Sequence, residues 1–368
     1  MTSLTLRDDH LGLGGRLDES NDIERVLSYG DPESEYRFLR ESVGLLDLSF
    51  RGRVCAIGPD RIDFIHGQVT NDVRKLSPGE GCLAALVDAK GKIQADLNIY
   101  RLKDELLLDF ESGLTPRVTE RLEKYIVAED VELVDVAPHY GLLSLQGPAS
   151  PDALSALNLE VSPPEKDREV AFANHPDLGE VYVIKRPRSG GCGFDLFVPN
   201  DPLAAAFTTL QAGCDQAGGG PAGWLALETT RIEAGIPRYG ADMDESNLVS
   251  ETGIAKQAIS YSKGCYIGQE VIARIRTYGR AKRHFGMLRL AEDIDSLPEK
   301  GDLLFRGERK AGWITSAARS PKDGSNIALG YVDRDFAEPG FELELETGSG
   351  RRAVSVLSTN ADEAPDRE

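Results

Sequence analysis

Short runs of alternating apolar and polar residues, separated by turns rich in Gly and Pro, fill the C-terminal part of the chain. Alternation places every second side chain on the same face of a strand, so these runs predict short β-strands. Their regular spacing is typical of a small β-barrel. We expect barrel strands at residues 285–290, 303–305, 312–315, 327–332, 341–345 and 354–357.

The preceding part of the chain mixes two periodicities. Apolar residues recur at helical intervals in 35–43, 112–126 and 202–212. Alternation typical of strands appears in 51–57, and again in the adjacent runs 81–88 and 93–101. This part of the chain is therefore expected to contain both helices and strands.

A hairpin is expected where the turn residues 88–92 join the two adjacent strands. The second of these strands contains Asp96, flanked by Ala95 and Leu97. Aspartate is disfavoured in strands, so its carboxylate is either exposed to solvent or used in chemistry. The local pattern alone favours exposure.

Residues 263–270 read K-G-C-Y-I-G-Q-E and precede a helical pattern. Lys263 and a helix N-terminus would both favour the thiolate of Cys265, which is the reactive form. Gly264 and Gly268 allow the backbone to approach a ligand closely. A turn with a buried cysteine is the simpler alternative, because buried Cys is common.

Two other stretches have a functional and a structural interpretation. The polar run 66–73 ends a predicted helix, and Asn71 within it either caps local structure or faces a ligand. Residues 271–290 contain no Asp or Glu and are either a solvated face or a site for an anion. The cations of this basic window are Arg274, Arg276, Arg280, Lys282, Arg283 and Arg289.

Composition restricts the class of protein. The 368 residues include 42 Lys and Arg against 61 Asp and Glu, a net charge of −19 that disfavours binding to nucleic acid or to anionic membranes. The five cysteines are scattered, without the spacing of metal ligands, which fits a reducing compartment. The polar N-terminus resembles no signal peptide and no run is long enough to span a bilayer, so the cytoplasm is expected.

Several motifs resemble the folate-binding T-protein (aminomethyltransferase) of the glycine cleavage system. The motif at 263–270 instead resembles a sister branch, the YgfZ-type folate-binding proteins, which support iron–sulfur cluster enzymes and certain tRNA modifications. The T-protein-like motifs are R-I-E-A-G at 231–235, Y-G-A-D-M-D at 239–244, Q-V-T-N-D at 68–72, Q-G-P at 146–148 and G-W-I-T-S at 312–316.

The resemblance implies an α+β fold of three subdomains in a cloverleaf around a central folate channel, with a C-terminal small β-barrel. It also implies that Asp96 is a catalytic group near the folate amine, which replaces the local interpretation of Asp96 as exposed. Asp195 stands where the T-protein has a Glu that contacts the pterin. Leu227 and Leu83 stand where it has an Arg and a Tyr, which weakens the case for transfer from an aminomethyl-carrying lipoyl partner.

The favoured hypothesis is therefore a tetrahydrofolate-binding protein that supports iron–sulfur cluster assembly or repair, with iron–sulfur proteins or assembly factors as clients. A true aminomethyltransferase and a folate-binding module without chemistry are the alternatives. A monomer is expected. The predicted catalytic residues are Cys265, Asp96 and Lys263. The predicted cofactor-binding residues are Asn71, Asp96, Asp195, Tyr239, Glu251, Gln269 and Arg276, with Arg276 receiving the anionic glutamate tail of folate.

The predicted domain organisation follows from the same patterns and resemblance. It consists of a flexible leader at 1–27, a folate-binding domain at 28–162 and 218–282, an intervening α+β subdomain at 163–217, the barrel at 283–358 and a disordered tail at 359–368.

Overall fold

The computed structural model describes residues 3–19, 23–278, 281–348 and 350–363. None of the helices in these ranges is long and apolar enough to cross a membrane. The α-helices are α1 (Arg7–Gly12), α2 (Pro32–Glu41), α3 (Arg61–Gln68), α4 (Thr115–Glu123), α5 (Ser150–Ser155), α6 (Leu203–Gln216), α7 (Trp224–Glu233), α8 (Ala255–Ala258) and α9 (Gln269–Tyr278).

The strands are interspersed with these helices as far as α9 and then follow one another to the end of the described chain. The first group is β1 (Arg16–Asp18), β2 (Arg25–Ser28), β3 (Gly44–Asp47), β4 (Gly52–Ile57), β5 (Gly81–Val87), β6 (Ile93–Arg101), β7 (Leu106–Phe110), β8 (Glu132–Asp135), β9 (Tyr140–Gln146), β10 (Val170–His175), β11 (Gly179–Lys185), β12 (Gly193–Pro199) and β13 (Gly220–Pro221). The second group is β14 (Arg283–Leu290), β15 (Leu303–Arg306), β16 (Arg309–Arg319), β17 (Asn326–Asp333), β18 (Glu342–Thr347) and β19 (Gly350–Thr359).

Across the described residues the chain divides into two compact units, and each is described by itself. The first unit consists of Met1–Ile65, Val73–Leu83 and Leu97–Thr230. The second unit consists of His66–Asp72, Ala84–Asp96 and Arg231–Glu368.

A mixed sheet forms much of the first unit, with the strand order β10-β11-β12-β9-β3-β13. Its pairs are antiparallel except β13, which runs parallel to β3. Helices α5 and α6 bury apolar side chains against this sheet, because each presents an apolar stripe that must leave water. The resulting core includes Leu145, Leu154, Leu196, Phe207 and Leu210.

Another sheet has the strand order β5-β6-β7-β4-β8. Within the first unit, β7 pairs antiparallel with β4, so that Val54 lies opposite Leu108. The same strand pairs with the end of β6, which places Asn98 opposite Asp109. Polar residues thus face each other in a sheet whose strand β7 is buried along its whole length.

The second unit contains the C-terminal barrel, which is closed in the order β14-β17-β16-β15-β18-β19. Its interior is filled by inward-pointing apolar side chains such as Leu288, Leu304, Ile314 and Leu343. The predicted α+β class and the predicted small C-terminal β-barrel are confirmed. The cloverleaf of three subdomains stays a prediction.

The N-terminal segment differs from the expected flexible leader. Helix α1 and the antiparallel pair β1–β2 are formed there, and Leu6 is fully buried. The buried His10 lies 2.9 Å from the Asp47 carboxylate through Nε2. Apolar residues in a polar stretch therefore anchor it to the core. At the other end, Asn360–Glu363 form a short 3₁₀ helix, and the rest of the predicted tail lies outside the described residues.

Candidate functional site

Asp96 lies on β6 in the second unit and is half-buried rather than exposed. Strand alternation places it on the same face as Gln94, while Ala95 between them is fully buried. The Gln94 side-chain oxygen is buried and, among the described residues, has no hydrogen-bond partner. A carboxylate and an amide oxygen therefore share one strand face. The sequence analysis did not single out Gln94, although its i, i+2 spacing from Asp96 is visible in the sequence.

Lys263 is buried, and its ammonium is bound to backbone carbonyls. Nζ donates to the carbonyl oxygens of His66 at 2.5 Å, Val69 at 2.7 Å and Asn71 at 2.8 Å. Helix α3 ends at Gln68, so these oxygens lie at or just after a helix C-terminus, where a cation is stabilising. Lys263 thus caps α3 and fixes the loop that follows it.

The same loop is held from its other side by Thr70, which is fully buried. Its hydroxyl donates to the carbonyl of Ala258 at 2.5 Å and accepts from the amide of Ala85 at 2.8 Å. The Asn71 side chain donates to the carbonyl of Gln257 at 2.8 Å and accepts from the amide of Asp72. Thr70 and Asn71 therefore both have structural partners, and a ligand contact from Asn71 would use its remaining hydrogen-bonding capacity.

Cys265 is exposed and not in a disulfide. The alternative interpretation, a turn with a buried cysteine, is therefore wrong, because the Cys265 side chain is exposed. The ammonium of Lys263 binds the end of α3. The sequence had instead predicted that this charge would stabilise the thiolate of Cys265. Nearby, Gly268 has φ +83°, and a Cβ there would lie 2.5 Å from the carbonyl oxygen of Asp88. The motif is therefore packed directly against the predicted hairpin turn.

Three other predicted folate ligands in the second unit also have partners inside the protein. Glu251 is buried and its carboxylate accepts from the amide of Leu248 at 3.1 Å, which caps a 3₁₀ turn. Tyr239 is buried beside Met243, to which it forms an isolated bridge. Gln269 begins α9, and its side chain reaches the Gly264 carbonyl at 3.5 Å.

Two of the described cations of the basic window lie over aromatic rings. Arg276 is exposed on α9, and its guanidinium lies 4.1 Å from the ring centroid of Tyr261. Arg283 lies 4.7 Å from the ring centroid of Trp313 in the same way. Stacking of this kind holds a guanidinium in place while leaving its N–H groups available to an anion. Arg280 lies outside the described residues.

Asp195 lies in the first unit and is almost fully buried. Its carboxylate accepts from the guanidinium of Arg188 at 2.6 Å and from the hydroxyl of Ser144 at 2.8 Å. A buried carboxylate needs such a partner, because removing the charge from water alone would be costly. The predicted pterin ligand is thus half of a buried ion pair.

Asp109 adjoins this ion pair and was not singled out from the sequence. It accepts from Arg51 at 2.8 Å and 3.1 Å, and Arg188 lies 3.4 Å away. Burial alone would raise the pKa of Asp109, but the two guanidinium groups outweigh it and lower that pKa from 3.8 to about 2. The available signal was the charge pattern of Arg51, Arg53 and Asp109 in otherwise apolar strands.

The structure divides the predicted residues between the two units. Asp195 belongs to the first unit. In the described chain, no group of three or more His, Cys, Asp or Glu side chains is arranged to hold a metal ion. The remaining predicted residues, all in the second unit, are Asn71, Asp96, Tyr239, Glu251, Lys263, Cys265, Gln269 and Arg276.

Comparison with known families gives the assignment. Residues 6–263 match the GCVT N-terminal domain, and residues 283–361 match the glycine cleavage T-protein C-terminal barrel domain. The chain belongs to the glycine cleavage T-protein family. The two matches together cover nearly all of the described residues.

Individual relatives in this T-protein family are similar along almost their whole length. An aminomethyltransferase of Symbiobacterium thermophilum is 29% identical over 97% of this chain and 96% of its own. An aminomethyltransferase of Rubrobacter xylanophilus is also 29% identical, over 92% of this chain and 88% of its own. The crystal structure of the glycine cleavage system aminomethyltransferase T of Bartonella henselae shares the fold, with a TM-score of 0.88, 21% identity and 97% of each chain covered.

These relatives correct the favoured functional hypothesis. The prediction of a protein that supports iron–sulfur cluster assembly or repair is wrong, because the near-full-length relatives are named aminomethyltransferase. The prediction relied on residues 263–270, and on Leu227 and Leu83 in place of an Arg and a Tyr of the T-protein pattern. In the structure, Lys263 of that motif stabilises a helix end, which gives the motif a structural role within the T-protein fold.

Proposed function

We propose that this member of the T-protein family is an aminomethyltransferase that transfers a one-carbon unit from an aminomethyl group to tetrahydrofolate. The observation that carries the proposal is the match to both T-protein domains together with near-full-length similarity to proteins named aminomethyltransferase. The prediction of a reduced folate as cofactor agrees with this family. The YgfZ-like motif at 263–270 is a local feature that the proposal does not depend on.

The residues on β6 fit a reduced folate chemically. A reduced pterin presents several N–H donors, and a pocket that binds it needs acceptors in otherwise apolar surroundings. Gln94 offers a buried carbonyl oxygen without a partner among the described residues, and Asp96 offers a carboxylate on the same face of the strand. An unsatisfied buried acceptor costs free energy, so its presence beside a carboxylate favours a ligand-binding role.

Tetrahydrofolate, when bound, supplies the secondary amines that accept the one-carbon unit. Asp96 would hold the proton of such an amine and orient it by a charge-assisted hydrogen bond. Gln94 would position the ring by accepting a hydrogen bond. Within the second unit, Asn71 and Glu251 would contribute through the lone pairs that their protein partners leave available.

Two substitutions relative to the T-protein pattern affect the substrate pocket rather than Asp96. Leu227 and Leu83 are both buried, and both replace polar residues of the pattern with apolar ones. An apolar side chain cannot donate to a substrate, so we expect weaker binding of the aminomethyl carrier than a side chain with a donor would give. The transfer step at Asp96 does not require either residue.

The test is a transfer assay with an aminomethyl-carrying lipoyl protein and tetrahydrofolate, in which ammonia and methylenetetrahydrofolate are both measured. We expect equal amounts of the two products, activity unchanged by Cys265→Ser, and loss of activity in Asp96→Asn. Asp104→Asn, at an exposed position in the turn after β6, is the matched control. Absence of transfer by the unaltered protein, with folate bound, would overturn the proposal.

A further inference from the structure

The strands β11 and β12 of the first unit bring a lysine and a cysteine together at their joined ends. Lys185, the last residue of β11, lies opposite Phe194 in the antiparallel ladder. Cys192 precedes Phe194 by two positions, and residues two positions apart along an extended chain point to the same face. Cys192 is therefore the diagonal cross-strand neighbour of Lys185, at a separation that a long side chain can span.

The two side chains are in direct contact. The Lys185 ammonium donates to the sulfur of Cys192 at 3.0 Å. The same ammonium lies 4.3 Å from the ring centroid of Phe194, an attraction that holds it beside the sulfur. Among the described residues, no carboxylate forms an ion pair with Lys185. The sulfur is thus the polar side-chain atom that this ammonium contacts.

The contact is fixed by the backbone of both residues. The amide of Lys185 donates to the carbonyl of Glu169 at 3.0 Å, and the carbonyl of Lys185 accepts from the amide of Arg168 at 2.8 Å. The carbonyl of Cys192 accepts from the amide of Gly147 at 2.9 Å. Because neither residue can move away without breaking these bonds, the nitrogen and the sulfur stay within reach of each other.

Solvent reaches the pair from the glycine-rich turn between the two strands. Lys185 and Cys192 are both half-buried, whereas Gly190 and Gly191 in the turn are exposed. A Cβ at Gly191 would meet no atom within 4 Å, so the space beside the turn is open. A small oxidant in solution can therefore approach this sulfur, in contrast to that of the buried Cys214 in the same unit.

We propose that Cys192 and Lys185 form a site of reversible oxidative modification, at which a peroxide joins the two side chains by a covalent S–N bond. Hydrogen peroxide transfers one oxygen atom to the thiol, which gives a sulfenic acid and water. The Lys185 ammonium loses a proton to solvent, and its neutral nitrogen attacks the sulfur and releases the sulfenic oxygen as a second water. The sulfur is oxidised, the peroxide is reduced, and the thiol and the amine together lose two hydrogen atoms.

The bond closes a ring around residues 186–191, which include the Arg188 partner of Asp195. A thiol reductant reverses the modification. One thiolate attacks the sulfur and releases the Lys185 amine, and a second thiolate reduces the mixed disulfide and restores Cys192. The supply of peroxide and of cellular thiols therefore decides whether the link persists. The site does not depend on the proposed transfer activity.

Peptide mapping of the full chain by mass spectrometry tests this site, after exposure to hydrogen peroxide and alkylation of the remaining thiols. Trypsin cleaves after Arg188 and so separates Lys185 from Cys192 unless the two are linked. We expect a linked pair of peptides that is lighter than the sum of the separate peptides by two hydrogen atoms. Treatment with a thiol reductant should separate the pair.

Substitutions distinguish the link from ordinary cysteine oxidation. Lys185→Arg keeps the positive charge but offers no nucleophilic amine, so the linked pair should be lost while Cys192 accumulates as sulfinic acid. Cys192→Ser should also lose the linked pair. Lys166→Arg, at an exposed position of the same unit, is the matched control and should form the link as the unaltered chain does.

Either of two results would overturn the proposal. One is Cys192 oxidised to sulfinic acid in the unaltered chain while Lys185 stays unmodified, which would leave the contact as a structural hydrogen bond. The other is Cys192 still reduced under conditions that oxidise the exposed Cys265, which would show that peroxide does not reach the sulfur. Both results are measured on the unaltered chain, so neither depends on the folding of a variant.

Discussion

The ammonium of Lys263 donates to the carbonyl oxygen of Asn71 across 192 positions of sequence, at 2.8 Å. The same ammonium binds carbonyls at the end of α3, so one side chain joins the motif at 263–270 to the loop that contains Asn71. A charged donor that satisfies several buried carbonyls is worth more than a neutral one. The lysine of the motif therefore acts on the backbone of this loop, and the motif is part of the fold.

Lys263→Met tests this structural role. Methionine keeps the length of the side chain but leaves the carbonyls without their charged donor, so the free energy of unfolding should fall by about 3 kcal/mol. Denaturant titration at neutral pH measures the change. Lys256→Met, on the exposed side of α8, is the matched control and should change stability by no more than about 0.5 kcal/mol. An equal, small effect in both variants would contradict the assignment.

Asp96→Asn separates chemistry from folding. The amide keeps the shape of the side chain but cannot hold a proton as the carboxylate does, so the transfer rate should fall about 100-fold to 1,000-fold. The melting temperature should stay close to that of the unaltered chain, because Asp96 is only half-buried. A large drop in melting temperature accompanying the loss of activity would instead indicate a structural role.

Asp109 predicts a specific dependence of stability on pH. Its pKa is about 2 in the folded protein and near 4 in an unfolded chain, so its stabilising contribution is fully present above pH 4. The contribution is lost as the pH falls from about 4 to 2, and it amounts to about 2 kcal/mol. Unfolding by denaturant at a series of pH values should show this decline. Asp109→Asn should flatten the decline in this range, whereas Asp104→Asn should retain it.

Charge reversal at Arg276 tests the predicted binding of the folate tail. Its exposed guanidinium is held over Tyr261, where it can meet a chain of carboxylates. Arg276→Glu should weaken the binding of a polyglutamylated tetrahydrofolate about tenfold more than the binding of a monoglutamate, because each added glutamate brings another negative charge. Competitive binding at low and high salt measures the difference. Arg37→Glu gives the same change in net charge elsewhere, and a similar loss in that variant would point to a general charge effect.

Periodicity was sufficient where neighbouring residues determine the structure. The hairpin at 88–92 and the strands of the barrel follow from local alternation and turn residues, and the structure contains both. The N-terminal segment was misjudged because its apolar residues are few, and Leu6 becomes a core residue only through contacts distant in sequence. A short polar stretch gives little local sign of such contacts.

The candidate site was less accessible to sequence reasoning for the same reason. Residue types marked Asp96 and Cys265 as candidates, but the partners of Lys263 lie nearly 200 positions away. The pairing of Asp195 with Arg188 joins residues seven positions apart across the turn before β12, a distance that periodicity does not translate into contact. Charged residues in apolar strands, such as Asp109, were the signal that remained unused.

Gly268 places a limit on how this chain can vary over evolution. Its α-carbon lies so close to the turn at Asp88 that any larger residue would displace the turn, and its positive φ already excludes most alternatives. Lengthening the hairpin and replacing the glycine are therefore changes that descendants must acquire together or not at all. Related sequences should show these two positions, 180 residues apart, changing in concert.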